Sequence, residues 1–146
     1  NNVVATLGTS FTKEQSRFLK RAVESIVILF DPDESGRNAA LKSAELCLEE
    51  DIMCSIASLP ESVDPDEYLL REGTDNFKAL IDSAANLIEF KSSLYLSKLN
   101  LKKPEDRAKY IRYMLEGIVK IKDATYRHKM IQFIDSKAQV GTGIII

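Results

Sequence analysis

Asp31 and Asp33 stand one residue apart, directly after the apolar run Ile26-Val27-Ile28-Leu29-Phe30, and a second acidic pair, Asp64-Pro65-Asp66, follows further along. Two carboxylates this close repel one another unless a cation or a proton comes between them. A hard divalent metal such as Mg²⁺ meets that need. It prefers oxygen ligands, is often held by only one or two carboxylates, and fills its remaining positions with water or phosphate. The next residues, Ser35-Gly36-Arg37, suit an anion. Glycine lets the backbone approach a ligand closely, and a helix beginning there would offer unpaired N–H groups to a phosphate. Asp31 and Asp33 are therefore candidate catalytic carboxylates and, with Asp64 and Asp66, candidate metal ligands. Ser35, Gly36 and Arg37 are candidate phosphate or nucleotide contacts. Taken alone, Asp-x-Asp is also a common turn, and Arg37 a common kind of surface arginine.

Such a constellation needs elements that deliver it. Ser25–Phe30 reads as a strand, continuously apolar from Ile26 as expected for a strand of a parallel sheet buried on both faces. Ligands of parallel sheets bind just beyond the carboxyl ends of the strands, which is where the first acidic pair falls. Asn2–Leu7 and Ile52–Leu59 read as further strands. Thr12 and Gln15 have the spacing of a capping box and open a helix over 13–23, with Phe18, Leu19 and Ala22 as its apolar stripe. A second helix covers 35–50, with Ala39, Ala40, Leu41, Ala44 and Leu48 toward the sheet. The order β-α-β-α-β predicts a parallel sheet. Acidic loops after two successive strands would then lie near each other at one end of it. Gly8–Ser10 and Pro60–Val63 read as loops.

After residue 66 the pattern turns helical, with no strand signal. A short helix over 66–72 ends at Gly73 as a glycine C-cap, and Thr74 opens another over 75–83. An amphipathic stretch over 84–100 follows, then helices over 104–121, with Pro104 in its first turn, and 123–137. The predicted fold class is α/β followed by all-α, a parallel sheet with flanking helices and then a small helical bundle, divided at 1–83 and 84–146. The closing Ile144-Ile145-Ile146 reads as a point where a further element was cut.

A length of 146 residues with 45% apolar side chains supports one domain with a small appendage. No run of 18 apolar residues is present, so no transmembrane helix is expected, and no signal peptide opens the chain. Two isolated cysteines, Cys47 and Cys54, one histidine and no Cys-x-x-Cys do not make a structural zinc site. Reduced, buried thiols in a cytoplasmic protein are the expectation. The net charge of −2 conceals an asymmetry. Residues 1–90 hold 8 Lys and Arg against 17 Asp and Glu, a balance of −9, and residues 91–146 hold 12 against 5, a balance of +7. The acidic part suits a metal site. The basic part suits nucleic acid, or is simply a lysine-rich helix surface.

Taken in order, Val3-Val4-Ala5-Thr6-Leu7-Gly8-Thr9, Leu19-Lys20-Arg21, Phe30-Asp31-Pro32-Asp33-Glu34-Ser35-Gly36-Arg37-Asn38-Ala39-Ala40, Leu59-Pro60 and Asp64-Pro65-Asp66-Glu67-Tyr68-Leu69 resemble the TOPRIM region of bacterial DNA primases. The remainder is similar to the helical subdomain that follows TOPRIM in those enzymes. The resemblance implies a partial TOPRIM sheet and a part in making short RNA primers from ribonucleoside triphosphates on single-stranded DNA, with Mg²⁺ or Mn²⁺ as cofactor. It implies a replicative helicase as partner, no membrane, and a cytoplasmic setting. Asp31 and Asp33 match the family's Asp-x-Asp metal ligands, and Asp64 and Asp66 its later acidic pair. Pro32 departs from the usual glycine and removes an N–H. Ser35 stands where alanine is common. The family's Glu-Gly-Tyr-like motif does not precede Asn1, and zinc belongs to a domain this chain does not carry. The chain therefore reads as a fragment, inactive alone, whose exposed sheet edge leaves room for a dimer.

Two other functions keep the same residues. A TOPRIM nuclease or topoisomerase would need a nucleophilic tyrosine, and Tyr68, Tyr95, Tyr110, Tyr113 and Tyr126 all fall in amphipathic helical patterns better explained by packing. A non-catalytic module would use the basic helices to dock a helicase, other primase domains or single-stranded DNA.

Overall fold

In the computed structural model, which describes residues 2–6, 11–60 and 63–138, the first regular element is α1 (Lys13–Lys20). Its capping box forms as spaced: Thr12 Oγ1 accepts from Gln15 N at 3.2 Å, and Gln15 Oε1 accepts from Thr12 N at 2.9 Å. The expected apolar stripe does not form, because Phe18 is 72% exposed. The buried residue of this helix is Ser16, whose hydroxyl donates to the Leu46 carbonyl at 3.2 Å.

The centre of the unit Asn1–Ala84 is a β-α-β crossover: β1 (Ser25–Leu29), α2 (Glu34–Glu49) and β2 (Met53–Ala57). The two strands pair in parallel, Ser25 opposite Met53 through Leu29 opposite Ala57. That register puts Ile28, Cys54 and Ile56 on one face, all buried. Toward them α2 turns Ala40, Ala44, Cys47 and Leu48, buried at helical spacing. Cys47 and Cys54 meet thiol to thiol, both free; their hydrogen bond draws Cys47 down and pushes Cys54 up from the usual thiol range. The other face carries Val27 and Met53, which stay 43% and 52% exposed, so β1 is not buried on both faces as its composition suggested. At its C-terminus α2 ends in a Schellman turn, with Ile52 N donating to Cys47 O and Asp51 N to Leu48 O; Asp51 takes the left-handed φ of 57° where glycine is usual.

The strand expected over Asn2–Leu7 is not formed at the described residues 2–6. Val3 and Val4 are 88% and 76% exposed. β-branched residues favour a pleated, half-buried surface, and no ladder partner is offered to them among the described residues. Leu7, the loop at 8–10, part of the 60–63 loop and the closing isoleucines lie outside the described residues. After β2, α3 runs over Pro65–Asp82 and is broken at Gly73, with φ 81° and ψ 173°, so the two helices expected on either side of that glycine are present.

The unit Ala85–Ile146 opens with a two-residue strand, β3 (Ala85–Asn86), which the helical pattern had not suggested. Asn86 then caps α4 (Leu87–Leu96) in a second capping box with Glu89. α5 (Pro104–Ile118) and α6 (Ala124–Ala138) follow. Their apolar faces read Leu87 and Ile88, Tyr110, Met114 and Ile118, and Met130, Ile134 and Ala138, all buried. Gly117 lets α4 approach α5 closely, since a Cβ there would meet Ile88 Cδ1 at 3.3 Å. A buried hydroxyl pair, Ser92 Oγ and Tyr110 Oη at 2.8 Å, joins the same two helices. Each of α5 and α6 has an arginine in its fourth position that folds back on the preceding loop. Arg107 donates to the Leu101 carbonyl from Nε and Nη2, and Arg127 Nη1 donates to the Ile121 carbonyl at 2.8 Å.

Candidate active site

Beyond β1 the chain passes through Phe30 and Asp31 and turns into α2 within three residues. Asp33 ends the turn as N-cap, and its Oδ1 accepts from Gly36 N at 2.6 Å. Gly36 is buried, and a Cβ on it would fall 2.1 Å from the Asp31 carbonyl oxygen. The room that glycine was expected to leave for a phosphate is thus occupied by the backbone of Asp31. Arg37 Nη1 donates to the Pro32 carbonyl. The first turn of α2 therefore grips all three residues of Asp31-Pro32-Asp33.

α3 begins in the same manner. Pro65 occupies its first position, and Asp64 caps it, Oδ1 accepting from Glu67 N at 2.7 Å. Asp31, Pro32, Asp33, Arg37, Val63, Asp64 and Glu67 line one open cleft of about 450 Å³. Four carboxylates and one guanidinium are thereby brought to one place. Of the other expected residues, Ser35 and Asp66 are exposed and do not line the cleft, and Gly36 lies beneath the loop. Glu67 takes the place expected of Asp66. The signal was available: Pro65 at N1 makes Asp64 the cap, and helical spacing then puts the residue three on from the cap, not two, on its side.

Among the described residues no group of three or more His, Cys, Asp or Glu side chains is gathered as a metal cage. Each capping aspartate already spends an oxygen on a backbone N–H. The donor set is therefore wrong for a closed all-protein site. It is right for the open kind, in which one or two carboxylates hold Mg²⁺ or Mn²⁺ and water and phosphate complete the shell.

Residues 1–69 match the Toprim-like family model, and residues 88–142 match that of the DnaB-helicase binding domain of primase. A DNA primase of Clostridium acetobutylicum is 32% identical over 140 residues, 96% of this chain. The chain belongs to the DNA primase family. It spans 23% of the length of that primase relative, about a quarter. Among solved structures, a DNA primase domain from Pseudomonas aeruginosa superposes with a TM-score of 0.80 at 31% identity, covering 95% of this chain and 44% of that one. A DnaG primase catalytic domain bound to single-stranded DNA superposes with a TM-score of 0.77 at 28% identity, covering 89% of this chain and 43% of that one. The fold is thus the TOPRIM fold of primase cores, and every cleft residue lies inside the Toprim-like match.

Proposed function

We propose that this chain supplies the acidic cleft of a primase, a DNA-directed RNA polymerase that joins ribonucleoside triphosphates into short primers on single-stranded DNA. The observation that carries the reading is that Asp31, Asp33 and Asp64 line one cleft beyond the end of a parallel strand, in a chain of the primase family. Asp31 and Asp33 would hold Mg²⁺ or Mn²⁺, with Asp64 and Glu67 enriching the negative field. Such an ion, when bound, neutralises charge on the triphosphate and orients it. Arg37, the one basic residue of the lining, supplies a positive charge at the cleft's edge. The cleft is open, so template and nucleotide must be held largely by surfaces outside it.

For the unit Ala85–Ile146 the match to a helicase-binding family favours docking of a replicative helicase, and its basic balance favours contact with single-stranded DNA. The chain alone makes no primers under this reading, since it spans about a quarter of a relative. Template-dependent RNA synthesis by the purified 146 residues would overturn that statement.

Asp31→Asn in the complete primase is the test. The fold, read by circular dichroism, is expected to be unchanged, and metal-dependent primer synthesis to fall roughly a hundredfold. A normal primer yield would remove Asp31 from the mechanism and the cleft from the function.

A further inference from the structure

We infer that Arg37 is a positioning residue: it clamps the Asp31-Pro32-Asp33 loop so that the two carboxylates keep the separation a divalent cation needs. The inference rests on the reading of the cleft as a divalent-cation site.

Each residue of the loop is held by the first turn of α2 through a different atom. The Asp31 carbonyl seats on the bare Cα of Gly36, and the Asp33 carboxylate takes the Gly36 N–H. Pro32 has no N–H of its own to give, so its carbonyl is its one backbone handle, and Arg37 Nη1 takes it. Arg37 is the only side chain of α2 recorded in these three contacts. Removing it would leave the middle of the loop untied while both ends stay fixed.

The unit Ala85–Ile146 supports a clamp over an idle surface arginine. Arg37, Arg107 and Arg127 all occupy the fourth position of their helices, and all three donate to a carbonyl five or six residues earlier. At α5 and α6 no acidic pair lies in the clamped loop. The device is structural there, and at α2 the same device acts on the residues that carry the chemistry.

The sign of the effect separates a clamp from a mere charge. If Arg37 acted only through its positive field, its removal from a cleft of four carboxylates would raise affinity for a cation. If it positions the pair, removal lowers affinity. Groups that orient metal-binding side chains typically matter about tenfold or more in metal affinity.

The experiment is Mn²⁺ binding to the 146-residue chain, followed by the electron paramagnetic resonance signal of the free ion, with no activity involved. Arg37→Ala should bind Mn²⁺ roughly tenfold more weakly than wild type. Arg37→Lys, which can still donate one hydrogen bond to the Pro32 carbonyl, should recover most of the loss. Arg127→Ala, which removes the same clamp from α6, should leave Mn²⁺ affinity unchanged. Tighter or equal binding by Arg37→Ala overturns the inference, and so does an equal loss in Arg127→Ala, which would indicate general unfolding. The Asp31→Asn/Asp33→Asn double variant separates the two levels. If it binds Mn²⁺ as well as wild type, the cleft reading fails. If it loses binding while Arg37→Ala does not, only the clamp fails.

Discussion

The starts of α2 and α6 share an aspartate cap and a fourth-position arginine and differ in the residues between them. Both have an aspartate cap, Asp33 and Asp123, accepting from the N–H three residues on, and both have an arginine at the fourth position tied to the preceding loop. At the third position α2 has the buried Gly36 and α6 has Tyr126. The glycine lets the approaching strand press its backbone against the helix start, which tightens the turn until two aspartates sit side by side in one cleft. At α6 a tyrosine stands in that position, and the loop before it brings no acidic pair to the helix start. Capping thus supplies stability at both places, and the close approach at Gly36 brings two aspartates into one cleft at the first of them.

The strongest way to break this difference is Gly36→Ala. The new Cβ would lie 2.1 Å from the Asp31 carbonyl, an overlap relieved only by moving the backbone, so a loss of about 3 kcal/mol is expected in denaturant unfolding. A loss below about 1 kcal/mol would show that the loop has room to spare.

Removing the caps sharpens the contrast. Asp123→Ala should cost about 1 kcal/mol, the ordinary worth of an N-cap. Asp33→Ala should cost less, because losing the cap is offset by relief of repulsion among Asp31, Asp64 and Glu67. Equal losses would mean that the cleft carboxylates do not feel one another.

The smallest effect concerns the interiors. The helical unit buries a hydroxyl pair, Ser92 with Tyr110, where the α/β unit buries two thiols. Burial pushes the Tyr110 hydroxyl above its usual value, and the Ser92 bond offsets this only in part. The unfolded chain therefore loses this proton first. The stabilisation is fully present below about pH 10 and is lost as pH rises through the higher folded value. Tyr110→Phe should show a flatter decline of stability above pH 10 than wild type, read by unfolding at a series of pH values. An identical decline would place the titration elsewhere.

Local chemistry was legible in the sequence. The Thr12 and Gln15 spacing, Pro104 at a helix start and Gly73 at a break all act within a few residues, and all are seen. The acidic loop was legible for the same reason, because an apolar strand that stops at two aspartates is a local pattern. What failed depends on distant partners. Val3 and Val4 have strand composition, but a strand exists only when another pairs with it. Phe18 was assigned to a core that does not reach it, and Val27 to a second covering layer that leaves it exposed. Asp66 was grouped with Asp64 by adjacency, whereas the turn of the helix brings in Glu67.

Gly73 has one more consequence. A Cβ built there meets nothing within 4 Å, yet the backbone is at φ 81° and ψ 173°, a region closed to ordinary residues. The restriction at this position is one of handedness and not of space. A mirror-image amino acid would sit there without strain, and every natural one with a side chain would not, however small. The break in α3 is therefore guarded by stereochemistry alone.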